Sequence, residues 1–353
     1  MDNFFLKQAL DLAKLRRGFT SPNPSVGAIL VNREGQIIGS GYHQGPGSPH
    51  AEIIALQSLT ESPENSTLYV TLEPCCHIGR TPPCTDAIVN ANIGRVVYGY
   101  RDPNPIVSGE GAALLTTAEI RCEHIMLPEI NLFYQSYDYW QRTHKPFITA
   151  KLAMSLDGKI AGEAGERKQI TGRELQIFTH QMRKTSDAIL TTAKTIIQDN
   201  PQLNIRLENT VIAKPLYILD RQLTCPLDAA IFTTAQSITV FHAVHADQEK
   251  REQLQAQGAR CVVIDETPEG LNLIPIIEHI GNDGAHDLWV ETGGKCLASF
   301  LKNNALQKLL LYIAPVWFGR GQSAFKPGFS IDLTDFSGSW QQIGPDSVLE
   351  IDF

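Results

Sequence analysis

Nowhere does the sequence approach the ~18–20 uninterrupted apolar residues that a bilayer-spanning helix needs. Its opening, Met1-Asp2-Asn3-Phe4, has no basic segment leading into an apolar one, so neither membrane insertion nor secretion is expected. An excess of positive charge is missing too. The 30 Lys and Arg are outnumbered by 38 Asp and Glu, a formal net charge of −8. That balance argues against nucleic acid as the main partner, because phosphate backbones favour a basic surface. A small phosphorylated ligand needs only a few local cations and is not excluded. There is no internal repeat and no low-complexity tract, and no Gly-x-Gly-x-x-Gly fingerprint follows an early strand, which disfavours a Rossmann dehydrogenase. The seven cysteines are odd in number, and three of them (Cys75, Cys76, Cys84) crowd together. This is a poor disulfide framework; it fits a reducing compartment with a thiolate site, and the expected address is the cytoplasm.

What is present is an ordinary globular composition, 42% hydrophobic and 19% charged over 353 residues. At ~100–200 residues per domain this length predicts two domains, each able to bury a core. Residues 4–16 carry apolar side chains at a helical period, and 26–31 and 37–42 read as a strand hairpin around the polar turn 32–35. Helices over 50–59, 84–91 and 110–118 alternate with strands over 67–72 and 95–100, and the segment 129–144 closes this half. That alternation implies a layered α/β domain with some parallel pairing. After Lys145-Pro146 it resumes: strands at 147–154, 188–191, 216–219, 238–241, 260–264, 287–291 and 309–313, helices at 173–184, 247–256, 271–280 and 295–303, and further strands near the C-terminus. The expected domains are 1–144 and 145–353.

The sharpest chemical signal is Pro49-His50-Ala51-Glu52, followed by Glu73-Pro74-Cys75 and Pro82-Pro83-Cys84. His50, Cys75 and Cys84 offer one imidazole and two thiolates. Three protein ligands leave a fourth tetrahedral position on zinc open for water, the catalytic rather than the structural pattern. Zinc lowers the pKa of bound water towards about 7. Glu52, two residues from a ligand on the first turn of a helix, is placed to carry a proton to a departing amine. His-x-Glu with Pro-Cys is the signature of zinc nucleobase deaminases, although eight residues here separate the cysteines instead of two. Cys76 is a competing thiolate. A purely structural zinc site is the bland alternative, and it leaves Glu52 without a role.

The run from Glu73 to Cys84 (EPCCHIGRTPPC), with Asn23-Pro24, Val26-Gly27, Gly41–His43 and Asp102-Pro103-Asn104-Pro105, resembles the bifunctional riboflavin-biosynthesis deaminase/reductase family over essentially the whole chain. The resemblance implies a cytidine-deaminase-like α/β/α layered domain and a dihydrofolate-reductase-like α/β domain. It implies deamination of 2,5-diamino-6-ribosylamino-4(3H)-pyrimidinone 5′-phosphate, then NADPH-dependent reduction of ribosyl to ribityl. It carries over His50, Cys75 and Cys84 as ligands of one Zn2+ per chain and Glu52 as the proton shuttle. Asn23, His43, His77 and Arg80 fall at positions around the substrate. The partners implied are a small phosphorylated pyrimidine and copies of the chain itself, as dimer or tetramer.

The second half resembles the reductase in Lys151–Ala161 (KLAMSLDGKIA), Ile170-Thr171-Gly172, Asp199-Asn200-Pro201 and Val290-Glu291-Thr292-Gly293-Gly294. A Gly-Gly step between a strand and a helix lets a phosphate approach free helix N-terminal amides, though turns use the same step. The resemblance assigns Met154, Gln169, Thr195, Asp199, Arg221 and the run Gly293, Gly294, Lys295, Cys296, Leu297, Ala298, Ser299 to NADPH. It assigns Arg167, Arg183, Leu203, Arg206 and Glu291 to the ribose-phosphate substrate, with Lys151 or Glu291 assisting proton movement. Arg167-Lys168-Gln169 stands where relatives show Ser-x-Trp, and Asp220-Arg221 where they show Asp-Ser or Asp-Thr. Arg221 either pairs with the cofactor's extra phosphate or obstructs the site. A deaminase with a degenerate second domain is the alternative these departures raise.

Overall fold

The computed structural model describes every residue except 78–81, 106–107, 164–168, 209, 333 and 335. The chain forms two compact units, Met1–His144 and Lys145–Phe353.

In the first unit, β1 (Gly27–Val31) and β2 (Ile37–Tyr42) form the hairpin, with Gly27 opposite Tyr42. β1 also pairs antiparallel with β3 (Thr67–Val70); β4 (Arg95–Tyr98) and β5 (Arg121–His124) then add in parallel. Among the described residues the sheet order is β2-β1-β3-β4-β5. Alternation along β1 decides the layers. Ala28 and Leu30 face α2 (Ala51–Gln57), α3 (Cys84–Asn90) and α4 (Glu110–Thr117), while Ile29 and Val31 face α1 (Asp2–Lys14) and α5 (Pro128–Thr143). The result is an α/β/α sandwich. No strand was expected at β5: its Arg-Cys-Glu-His has no apolar alternation, and Arg95 holds it by pairing with Glu123 at 2.9 Å.

In the second unit, β6 (Phe147–Ser155), β8 (Ala188–Thr192), β11 (Pro215–Leu219), β12 (Ser237–His242), β13 (Arg260–Val263) and β16 (Asp287–Glu291) form a parallel array that continues onto β17 (Lys308–Ala314). β20 (Asp346–Asp352) and β19 (Ser337–Ile343) extend it antiparallel, giving the order β13-β12-β11-β8-β16-β6-β17-β20-β19. Short pairs complete the unit: β7 (Lys159–Ala161) with β18 (Gln322–Ser323), β9 (Ile205–Leu207) with β10 (Thr210–Ile212), and β14 (Glu266–Thr267) with β15 (Gly270–Leu271). α10 (Leu273–Asn282) and α11 (Gly294–Lys302) cover one face. The other is covered by α6 (Arg173–Thr185), α7 (Ala193–Asp199), α8 (Ile231–Thr234) and α9 (Gln248–Ala256). Strands buried on both faces explain the near-continuous apolar runs of this half. Among the described residues no helix is long and apolar enough to cross a membrane.

Candidate active sites

In the first unit the carboxyl end of β3 leads into Cys75, while His50 caps α2 and Cys84 opens α3. His50 Nδ1 lies 3.1 Å from Cys84 Sγ and 3.5 Å from Cys75 Sγ, and the three donor atoms fall within 4.8 Å of one another. Zinc bonds of about 2.3 Å to sulfur and 2.0–2.1 Å to nitrogen, at the tetrahedral angle, set donors about 3.5 Å apart. The cluster therefore fits zinc, and among the described residues it is the group of His, Cys and acidic side chains with that spacing. The electrostatics agree. The Cys84 thiol shares its proton with Cys75, whose sulfur also accepts the Cys84 amide at 3.3 Å from the start of α3. With those donors and His50 beside it, Cys75 is held well below the ordinary thiol range. Cys76, the rival thiolate, is instead pushed up by burial.

Glu52 is buried on the second position of α2, and desolvation raises its pKa, so its carboxyl holds a proton more readily than an exposed one. Asn23 Nδ2 lies 3.1 Å from His43 Nε2, and His43 Nδ1 lies 3.1 Å from the Pro49 carbonyl, so the pair orders itself with a neutral imidazole whose pKa burial lowers. These residues and His77 line a cavity of about 430 Å3, together with Ser48, Asp102, Asn104, Tyr137, Trp140 and Gln141. Arg80 lies outside the described residues. Asp102 and Asn104 belong to a motif noted in the sequence without a role, and nothing local in the sequence marked the three residues of α5. Glu73 turns out to be a cap: its carboxylate accepts the amides of Gly109 at 3.0 Å and Ala112 at 3.2 Å, at the start of α4.

In the second unit the register pairs Lys151 of β6 directly with Glu291 of β16. Glu291 takes a two-point contact from Arg183 (2.6 and 3.0 Å) and a third bond from the buried Trp289 indole at 2.7 Å. Burial alone would raise its pKa, but Arg183 outweighs that and holds it at about 2. Two expectations change accordingly. Glu291 is a fixed anion and unsuited to moving protons. The Arg183 guanidinium, expected on substrate phosphate, is spent internally on Glu291 and the Asn204 carbonyl at 2.9 Å. Lys151 lies 5.3 Å from the centre of the Tyr312 ring, its pKa lowered by burial. Exposed Arg206 bonds Asn204 Oδ1 at 2.6 Å. His180, unmarked in the sequence, accepts the Arg206 amide and is lowered to about 4 by burial and then by the two arginines.

The residues expected at the cofactor divide. Gly293 caps α11 with nothing nearer its absent Cβ than Ile160 at 4.0 Å, and the amides of Gly294 and Lys295 have no acceptor within the helix, whereas that of Cys296 bonds the Gly293 carbonyl at 3.1 Å. That cradle fits a cofactor phosphate. Gly294, by contrast, serves packing: a Cβ there would meet the Ala324 carbonyl at 1.4 Å. Leu297 lies in the core beneath α11, and Leu203, expected at the substrate, is likewise a core residue, on left-handed backbone (φ 46°). Cys296 is partly buried, its thiol pushed up to about 12 by burial; Lys295 is exposed, and Ala298 and Ser299 are partly so. Thr195 shares a hydroxyl contact of 3.0 Å with Thr192, the cap of α7, and Asp199 ends that helix. Met154 packs beside the core, and the exposed Gln169 turns back onto the Thr171 carbonyl at 3.0 Å. Arg221 pairs with Glu266, whose other oxygen lies 3.0 Å from His245. Arg167 lies outside the described residues.

Comparison with known proteins agrees over both units. The cytidine and deoxycytidylate deaminase zinc-binding region matches residues 1–100, and the RibD C-terminal domain matches 146–349. The riboflavin biosynthesis protein RibD of Aquifex aeolicus is 39% identical over 324 residues, 92% of this chain and 89% of that protein. The Escherichia coli RibD is 34% identical over 371 residues, 99% of each chain. Among solved structures, RibD of Acinetobacter baumannii superposes with a TM-score of 0.87 at 31% identity, covering 99% of this chain and 98% of its own. A Thermotoga maritima structure matches equally well in all four figures, and it is described as a diaminohydroxyphosphoribosylaminopyrimidine deaminase/5-amino-6-(5-phosphoribosylamino)uracil reductase. With full-length identity above 30% and both halves matched in order, the chain belongs to the RibD family of riboflavin-biosynthesis enzymes, a zinc-binding deaminase domain joined to a reductase domain.

Proposed function

We propose that residues 1–144 deaminate 2,5-diamino-6-ribosylamino-4(3H)-pyrimidinone 5′-phosphate and that residues 145–353 reduce the ribosyl group of the product to ribityl with NADPH. The observation that carries this reading is the cluster of His50, Cys75 and Cys84 donors, at a cavity that His50, Cys75 and buried Glu52 line. Zinc held by the three donors supplies a Lewis acid that makes water a nucleophile near neutral pH. Glu52 takes a proton from the attacking water and delivers it to the leaving amine, a task suited to a carboxyl whose pKa burial has raised. Asn23, held in place by His43, and His77 read the polar edge of the ring, and Arg80 pairs with the phosphate.

In the second unit Gly293, Lys295 and Thr195 would hold NADPH, which would supply a hydride for C1 of the ring-opened sugar, and Lys151, with its lowered pKa, would donate the balancing proton. Glu291 keeps its charge and holds Arg183, while Arg206, with its exposed side chain, meets substrate phosphate. The match of the RibD C-terminal domain across 146–349 favours this over a degenerate second domain. The enzyme works in the cytoplasm as a homo-oligomer.

The test supplies purified zinc-loaded protein with the diamino substrate and NADPH, following ammonia release and NADPH oxidation separately. Both are expected. Glu52→Gln should keep its zinc and lose about 10²–10⁴-fold in deamination, while still oxidising NADPH when given the deaminated intermediate. Full deamination by that variant overturns the proton-shuttle role. NADPH left unconsumed overturns the reductase.

A further inference from the structure

The deaminase cavity has a wall that the zinc motifs do not supply. Phe133, Tyr137 and Trp140 recur at helical spacing on α5, with Gln141 beside them. Phe133 and Tyr137 enter the core and half-buried Trp140 packs against it, while Tyr137, Trp140 and Gln141 line the cavity. The three cavity residues are coupled. Gln141 Nε2 donates to the Tyr137 hydroxyl at 3.0 Å, and that hydroxyl donates to Asp102 Oδ1 at 3.4 Å. The indole of Trp140 stacks on the Tyr137 ring, 6.4 Å between centres at 24°. All three lie beyond residue 100, where the match to the deaminase zinc-binding region stops.

This wall joins an aromatic face to an oriented carboxylate. A carboxylate repels a phosphate but accepts hydrogen bonds from hydroxyls, and an indole face packs on the C–H side of a saturated ring. Asn23, held by its bond to His43, offers an amide better suited to a heterocycle's edge. The two sides of the cavity thus suit the two halves of a glycosylated base. We propose that Trp140, with Asp102 oriented through Tyr137 and Gln141, is the pentose-recognition wall of the deaminase site and sets its preference for a ribosylated pyrimidine over the free base. The proposal rests on the deaminase reading above. Trp140 and Asp102 touch the sugar; Tyr137 and Gln141 are positioning residues.

The test compares Trp140→Ala, Trp140→Phe and Gln141→Leu with the unaltered enzyme, full-length and zinc-loaded. Removing the indole should raise KM for the ribosyl phosphate substrate about tenfold or more, the equivalent of one lost aromatic contact, with kcat and zinc content kept. Phenylalanine should fall between. Ribose 5-phosphate, titrated calorimetrically without turnover, should bind the unaltered protein and weaken by the same factor in Trp140→Ala. Gln141→Leu should raise KM more modestly, again without changing kcat. An unchanged KM, or a kcat loss with KM intact, overturns the proposal. So does equal weakening of a free 2,4-diaminopyrimidine base, which would put the indole on the heterocycle. Because sugar-phosphate binding is read without catalysis, failure of the deaminase reading shows separately, as absence of ammonia from the unaltered enzyme.

Discussion

The two sites hold buried carboxylates tuned in opposite directions, and they predict opposite dependences of stability on pH. Burial raises Asp102 from 3.8 to about 6, and among the described residues no cation pairs with it. Below about pH 3.8 the group is protonated both folded and unfolded, so it costs nothing. Above about 6 it is ionised in both, and folding bears the full penalty. Asp102→Asn keeps an oxygen for the Asn104 amide and the Tyr137 hydroxyl, so it should raise the unfolding free energy by up to about 3 kcal/mol at pH near 7.5 and leave it unchanged near 3.5. Urea titrations at the two pH values check this, and an equal effect at both would refute it. Glu291 is lowered from 4.5 to about 2, burial being overcome by Arg183. Its contribution is complete above about 4.5 and is lost as pH falls towards 2. Arg183→Met should destabilise by roughly 3–5 kcal/mol at neutral pH, since it strands a buried anion, and the additional change Glu291→Gln should recover much of that. A small loss in the single variant would mean that water already reaches the pair.

At the scale of elements, the deaminase site depends on how closely α2 sits on the sheet. A Cβ on Gly41 of β2 would meet the Ala51 carbonyl and the Ala55 amide at 2.5 Å, and one on Gly39 would meet the Ala55 carbonyl at 2.6 Å. These contacts are backbone, so nothing can rotate aside. Gly41→Ala should push out α2, with His50 and Glu52 at its start, at a cost of about 1–3 kcal/mol, and lower zinc retention measured by metal analysis after dialysis. Retention of full zinc and full deamination would show that the helix slides without moving its first turn. The glycine itself was visible in the sequence; the helix pressing on it was not. The same limit separates what was legible from what was not. His50, Glu52, Cys75 and Cys84 lie in short local runs whose chemistry is specific, and the layered α/β reading follows from apolar periodicity. β5 has too little apolar surface to announce itself, and α7 follows β8 so directly that no polar break marks it. Gly294, Leu297 and Leu203 sit inside motifs expected to contact ligands, yet Gly294 lets the Ala324 backbone approach and the two leucines lie in the core, which a linear pattern does not encode. Trp140 and Gln141 reach the cavity only through the path of α5.

At the scale of the whole molecule, each unit has its own core. Two clusters draw wholly on residues 5–140 and two wholly on residues 148–351. Each unit also has its own ligand, and anything that binds only the native state stabilises the unit that holds it. Zinc held by His50, Cys75 and Cys84 would tie α2 and α3 to the end of β3, so its loss should loosen the first unit without removing any contact within the second. NADP+ at about 100 times its Kd adds about 2.7 kcal/mol to the second unit, roughly 5–10 °C for a unit of this size. Calorimetry of the full-length protein should therefore show two transitions. A chelator should lower one and abolish deamination, while NADPH oxidation with the deaminated intermediate persists. NADP+ should raise the other transition alone. A single transition that moves with either ligand would mean that the two units unfold as one cooperative body, and the separate cores would then not be the units of stability.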